Sequence, residues 1–448
     1  MNFLKNKGLY RELFKLALPI ALSSLVSFSI SLSDNMMIAT LGNEAVSSVY
    51  LGNQIALLFT MLTVGIEGGV LVLASQMLGS EKEDKARSVA SFGLLSALAL
   101  ALLFFALSFF FPKFTLGIIT DKRELIESGA PFLRMLGISF LFFAPSQVLS
   151  AALKSAKQAK IPFFAAVIAL AVNVFLNYAL IFGKLGFPTL GILGAGIATL
   201  AARGVEFSFL FVYSFFIDKR LGLRLPSFIK PDKDVLPKFF KTAAPIFATQ
   251  GAWSVNTFFA TAVMGRMPAP GVVAGLSAAL ALYNLSYVVT NGMSGAVGII
   301  VGRLVGRDDE SSKNELRNFS KTVQVLFIFL GILTAVFMQI AKAPFLELWG
   351  IDAAARRFAL AFIAVLSVMV IGTAYQSATL GGIIKSAGEV RFVFKTESFS
   401  IFCVIIPAAL LLSRFSPAPA IMLAILKSDQ LFKCPIAFFK LRKLFAKR

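Results

Sequence analysis

The sequence predicts an all-α integral membrane protein: twelve transmembrane helices, arranged as two parallel six-helix repeats around a central cleft. Three observations predict it. The composition suits lipid rather than water, because 57% of the 448 residues are hydrophobic and 15% are charged, with a mean hydropathy of +0.82. Apolar stretches long enough to cross a bilayer as a helix recur along the whole chain. Only helices and closed barrels satisfy their backbone groups in hydrocarbon, and no stretch alternates as barrel strands do. The third observation is that the chain repeats itself at an offset of about 226 residues.

Taken in order, the spans lie near 13–40, 50–75, 88–111, 130–152, 162–183, 190–217, 240–264, 271–301, 320–341, 357–381, 393–413 and 417–439. Turn signals support the breaks between them: Gly79-Ser80, Phe111-Pro112, Met267-Pro268-Ala269-Pro270-Gly271 and Ser416-Pro417. The first apolar stretch is too long for a removed signal peptide and has no cleavage site, so it reads as the first span.

The repeat is carried by its Pro, Gly and Lys anchors. Phe14-Lys15-Leu16-Ala17-Leu18-Pro19-Ile20 returns as Phe240-Lys241-Thr242-Ala243-Ala244-Pro245-Ile246. Gly65-Ile66-Glu67-Gly68 is answered by Gly292-Met293-Ser294-Gly295, Gly79 by Gly306, and Lys154-Ser155-Ala156 by Lys385-Ser386-Ala387. Leu and Ala match by chance in any apolar chain, but these anchors return in the same order. Six helices per copy is an even number, so both copies enter the membrane from the same side and are parallel repeats. The expected organisation is an N-terminal lobe over 1–217, a cytoplasmic linker over 218–239 containing Pro226, Pro231 and Pro237, and a C-terminal lobe over 240–448.

A formal charge of +20, from 43 Lys and Arg against 23 Asp and Glu, invites a nucleic-acid reading. The distribution argues against it, since the basic residues form short clusters between apolar spans rather than one stripe or tail. With the N-terminus inside the cell, 32 of the 43 fall in cytoplasmic segments and Arg203 falls within a span. That bias predicts a multi-pass protein of the cytoplasmic (inner) membrane with both termini cytoplasmic. Cys403 and Cys434 lack metal-ligand spacing and read as small buried side chains. The chain has no histidine, which removes the commonest player in metal and Ser-His chemistry.

One segment reads Asn173-x-x-x-Asn177-Tyr178-x-Leu180-Ile181-Phe182-Gly183, followed by Gly191-Ile192-x-Gly194-Ala195-Gly196-Ile197-Ala198-Thr199. Earlier stand Leu18-Pro19-Ile20 followed by Asp34 and Leu41-Gly42, and Gly65-x-x-x-Gly69 ahead of Gln76-x-x-Gly79. These motifs, the first of them the most specific, resemble those of the multidrug and toxic compound extrusion (MATE) family, within the wider multidrug/oligosaccharidyl-lipid/polysaccharide flippase superfamily. The resemblance implies an antiporter that exports small organic, often cationic, compounds by alternating access in exchange for H+ or Na+. It implies no enzyme cofactor.

An ionisable group inside the membrane costs about 2.5–3.5 kcal/mol on insertion scales, so each one needs a reason. Asp34 falls in the extracytoplasmic half of the first span, where a carboxylate can take an ion from outside; a shorter first helix would leave it a solvated end. The resemblance places a coupling carboxylate here. Asn173 and Asn177 share one helix face, about 6 Å apart along the axis. They suit a hydrogen-bonded proton site or, with Asp34, a sodium site; they also suit helix–helix adhesion. Thr199 joins this group through the resemblance. Some family members carry aspartate where Asn177 stands, which leaves the ion open. Glu67 is either a second titratable group or a carboxylate neutralised by a neighbour. Glu206 reads as an i,i+3 ion pair with Arg203, and Glu397 as a residue facing interfacial water.

Spans seven and ten carry no acid in their interior, so a subgroup mechanism that uses carboxylates there is disfavoured. The expected substrate wall is polar and neutral: Asn256, Tyr283, Asn284, Tyr287, Asn291, Tyr375 and Gln376, although core hydrogen bonding explains such residues as well. The alternative function is a flippase of a lipid-linked glycan precursor. That would need cations in the cleft to hold a pyrophosphate, where Arg203 is the one Lys or Arg placed well inside a span. A membrane-embedded transferase lacks a convergent catalytic set, and a channel lacks a pore loop. The expected partners are small organic substrates and the bilayer, not nucleic acid, with the chain acting as a monomer.

Overall fold

The structure is a computed structural model that describes residues 7–223, 231–267 and 269–447. Pro226 and Pro268, assigned above to the linker and to a turn, lie outside the described residues. The first six long helices are α1 (Lys7–Ala39), α2 (Asn43–Gly79), α3 (Glu83–Phe110), α4 (Arg123–Ser155), α5 (Lys160–Phe182) and α6 (Gly191–Val212). The next six are α7 (Leu236–Gly265), α8 (Val272–Arg307), α9 (Glu310–Trp349), α10 (Ala353–Gln376), α11 (Val390–Ser398) and α12. α10 runs on as a π-helical segment, Ser377–Ile384. α11 continues through another, Phe399–Ile405, into Ile406–Ser413. α12 is broken into Pro419–Leu426 and Asp429–Lys447. No strand occurs among the described residues.

The chain is therefore an all-helical, multi-pass membrane protein with twelve transmembrane helices in two repeats. Ten of the helices are long and apolar enough to cross a bilayer on length and composition alone. α7 and α12 are the two that composition undervalues. α7 opens with Lys238 and Lys241 and carries Gln250 and Asn256, while α12 is interrupted at Lys427–Ser428 and holds four further basic residues through Lys443. Large apolar side chains such as Phe110, Phe114, Phe329 and Phe439 are exposed, as lipid-facing residues should be and water-facing ones should not.

Local chemistry sets the helix ends. Asp309 and Asp352 each accept a hydrogen bond from the backbone N–H three residues on, at 2.6 and 2.7 Å, capping α9 and α10. The Ser312 backbone N–H holds the exposed Asp309 carboxyl below the usual carboxylate range. Gly183 and Gly350 end α5 and α9 in the left-handed region, at φ of 65° and 68°, where a side chain would be strained.

The fold divides into two compact units, Leu22–Phe247 and the residues through Ala21 together with those from Ala248 onward. The first is cored by Phe59, whose ring centroid lies 4.2 Å from that of Phe140 and 5.2 Å from that of Phe104. The second is cored by Leu282, Met338, Phe362, Leu366 and Leu423. The described parts of the 218–239 segment are fastened to the first unit. Arg87 Nε donates to the Leu221 carbonyl at 2.6 Å and the Asp232 N–H donates to Ser88 Oγ at 2.9 Å.

The sequence repeat reappears as a repeated contact. In the first unit a Cβ placed on Gly65 of α2 would meet Phe247 Cα of α7 at 2.6 Å, and one on Gly68 would meet the Ile246 side chain at 3.1 Å. In the second, a Cβ on Gly292 of α8 would meet Ala21 Cα of α1 at 2.5 Å, and one on Gly295 would meet the Ile20 side chain at 3.7 Å. Ile20 and Ala21 are the repeat mates of Ile246 and Phe247, so both copies use small residues to let two helices approach closely. Replacing Gly292 with Val is expected to destabilise the protein by about 1–3 kcal/mol through overpacking. A lowered thermal unfolding temperature of the purified protein in detergent checks this; an unchanged temperature would show that the α1–α8 approach is loose.

Candidate functional site

The first unit gathers the polar group expected from sequence. α1 supplies Asp34 and one face of α5 supplies Asn173 and Asn177, both amides fully buried. Asn177 Nδ2 donates to Asp34 Oδ1 and also to Asn173 Oδ1, the latter at 3.2 Å. Among the described residues Asn177 Oδ1 is buried with no hydrogen-bond partner, while the Asn173 amide faces Asp34 without a well-formed hydrogen bond. An unpaired buried acceptor beside a carboxylate is costly, so the group is not self-sufficient. The Arg203 guanidinium on α6 is near enough for its charge to act on Asp34. Arg203 itself donates to Glu206 Oε2 at 2.8 Å and lies 4.6 Å from the Phe143 ring centroid. Glu206 is thus the i,i+3 partner expected.

Thr199 is half-buried on α6, and among the described residues no hydrogen bond joins it to the three. Glu67 is not part of this group either. Its Oε1 accepts from Lys154 Nζ at 3.2 Å across α2 and α4, the arrangement of a neutralised carboxylate.

The seven neutral residues named for a substrate wall divide into two sets. Tyr283 donates to Thr373 at 2.9 Å and Tyr375 to Gln324 at 2.8 Å, while Tyr287 is bonded to Ser377. Gln376 donates to the backbone carbonyls of Asp429 and Gln430. These four hold helices of the second unit together. Asn284 and Asn291 are exposed on α8, and Asn256 on α7 is half-buried with an unpartnered Oδ1.

Three expectations need correction, all in the second unit. Cys403 is exposed beside the exposed Phe402 rather than buried, and Cys434 is half-buried. Glu397 does not face interfacial water: it is 8% exposed, and its Oε2 accepts from Lys433 Nζ at 2.7 Å. Arg203 is not the one cation well inside a span, because Lys433, counted with the cytoplasmic charges, is 1% exposed. Lys433 also donates to Asp429 Oδ2 at 2.8 Å. Sequence reasoning missed this triad because α12 is rich in lysine, which reads as a loop signal. The available clue was the i,i+4 spacing of Asp429 and Lys433.

A duplicated twelve-helix membrane fold is the architecture of a transporter rather than an enzyme. The MatE family model matches residues 19–179 and 245–410, one stretch in each half, and the chain belongs to that family. It is 23% identical over 411 residues to a probable multidrug resistance protein NorM of Thermotoga maritima, covering 90% of this chain and 86% of that one. It is 25% identical over 412 residues to the multidrug resistance protein MdtK of Pectobacterium atrosepticum, covering 90% and 87%. Among solved structures the fold superposes on a MATE protein in complex with MaL6 with a TM-score of 0.88 at 18% identity, covering 98% and 97% of the two chains. A Vibrio cholerae MATE transporter, VcmN, gives 0.88 at 14% identity, covering 99% and 98%.

Proposed function

We propose that this protein is a cation-coupled multidrug antiporter of the cytoplasmic membrane, with both termini cytoplasmic, exporting small organic compounds by alternating access. The observation that carries the reading is the Asp34–Asn177–Asn173 group with its unpaired Asn177 Oδ1. While Asp34 is ionised, the Asn177 amide offers it N–H. Turning that amide over offers Oδ1 instead, which accepts a proton carried by Asp34 or coordinates a sodium ion beside the carboxylate. The same residues therefore stabilise both the loaded and the unloaded state, as a coupling site requires. Multidrug resistance proteins among the relatives support the substrate class. The exposed Asn284 and Asn291, with Asn256, are the neutral polar side chains left to contact substrate.

The flippase alternative is not favoured, because Arg203 and Lys433 are each engaged by carboxylates rather than held ready for a pyrophosphate.

Proteoliposomes loaded with ethidium test the reading. Imposed inward proton and sodium gradients, applied separately, are expected to drive export with one of the two ions and thereby identify it. Export at the rate of protein-free vesicles under both gradients would overturn the coupling, and movement of a fluorescent lipid-linked sugar between leaflets would favour the flippase.

A further inference from the structure

The second unit holds a buried charge network that the Asp34 group does not explain. Lys433 Nζ bridges Glu397 Oε2 on α11 and Asp429 Oδ2 at the start of the second piece of α12, at 2.7 and 2.8 Å. Two carboxylates against one ammonium leave this hydrogen-bonded triad one negative charge in excess, with the Lys427 ammonium a further, non-bonded cation near Asp429. Gln430 Nε2 adds a bond to Asp429 Oδ2 at 2.6 Å. Asp429 is 2% exposed, yet among the described residues its other oxygen, Oδ1, has no hydrogen-bond partner. Such an atom on a charged, desolvated group is expensive, and a proton there removes the excess charge.

The surrounding backbone is irregular at the two points that touch the triad. Gln376 immediately precedes the π-helical segment Ser377–Ile384 and donates to the Asp429 and Gln430 carbonyls at 3.0 and 2.6 Å. Glu397 lies two residues before the π-helical segment Phe399–Ile405. π-Helical turns concentrate at functional positions.

We propose that Asp429, with Glu397 and Lys433, is a second proton-binding site, in the C-terminal unit. A proton added at Asp429 Oδ1 makes the triad neutral and leaves Lys433 paired to Glu397. It weakens the Asp429–Lys433 clasp and withdraws a negative charge from a helix N-terminus, where the dipole had favoured it. The effect reaches α10 through Gln376, next to Ser377, which is bonded to Tyr287 and through its carbonyl to Ser294 Oγ. The other titratable groups near the triad are Tyr283 and Tyr287 from α8, Cys434 from α12, and Lys427, whose ammonium lies 6.0 Å from the Trp253 ring centroid. Tyr, Cys and Lys ordinarily titrate above about 8, so the two carboxylates are the groups that take up a proton on acidification. A lysine already fills the cation position, which favours a proton here over a sodium ion.

The inference extends the proposed coupling, and its test reads protonation directly, without any transported compound, so the two fail separately. The full chain in liposomes, carrying Asp34→Asn, is titrated from about pH 9 to about pH 4, across the carboxylate range, while the carboxylic-acid carbonyl stretch is followed by infrared spectroscopy. We expect an acid band that exchanges slowly in deuterium oxide, shifts when aspartate is 13C-labelled, and is lost on adding Asp429→Asn. Coincident titrations with and without Asp429→Asn would overturn the site. If the double variant fails to insert, the labelled Asp34→Asn chain alone decides, because a slowly exchanging band that does not shift, or no such band, also overturns it.

Discussion

Asp34→Asn is expected to insert and fold normally but to export ethidium no faster than protein-free vesicles under either ion gradient. The change is isosteric and keeps a polar side chain beside Asn177, so helix packing is undisturbed. What it removes is the one full negative charge of the Asp34–Asn173–Asn177 group. For a sodium ion the lost attraction is about 4 kcal/mol at 4 Å in an effective dielectric of 20, roughly a thousandfold in affinity. For a proton the binding group itself is gone. Asn177→Ala removes only a hydrogen bond to a charged group, about 1.5–3 kcal/mol, and is expected to weaken export and shift its ion dependence rather than abolish it. Unchanged gradient-driven export by Asp34→Asn, with normal protein levels in the vesicles, would remove Asp34 from the coupling path.

The largest effect on stability is expected at Lys433. Replacing it with Met preserves bulk but leaves Glu397 and Asp429 facing each other without a cation in a buried setting. Breaking a buried ion pair from one side costs about 3–5 kcal/mol. Lys154→Met, at the less deeply buried pair with Glu67, is expected to cost less. Thermal unfolding of the two variants in the same detergent measures the difference. Neutralising all three partners together, as Lys433→Met with Glu397→Gln and Asp429→Asn, is expected to recover much of the loss, because the triad itself then carries no charge. Equal unfolding temperatures for Lys433→Met and Lys154→Met would mean that water reaches the triad.

The residues of the first site are legible in the sequence for a local reason. Asn173 and Asn177 sit one helical turn apart, so their spacing alone puts them on one face, and an aspartate late in the first apolar span stands out by its cost. Their meeting with Asp34, 143 positions from Asn177, is supported by resemblance but fixed by tertiary packing. Glu67 shows the limit of that reasoning. Its partner Lys154 is 87 positions away, so the sequence states the alternatives and only the fold chooses between them.

The sequence by itself determined that the chain lives in a membrane, that it is helical, and that it is built twice. Composition, apolar length and the ordered return of Pro, Gly and Lys anchors are one-dimensional properties, and lipid permits few structures that satisfy them. Tertiary structure alone decided how charge is used in the second half. Lysine density near the end of the chain reads as cytoplasmic surface, yet Lys433 is drawn inside because Glu397, 36 positions earlier, and Asp429, one turn earlier, compensate it there. Whether a charge is a solvated anchor or a buried partner depends on which opposite charge the fold brings within hydrogen-bonding distance, and a single helix pattern does not contain that information.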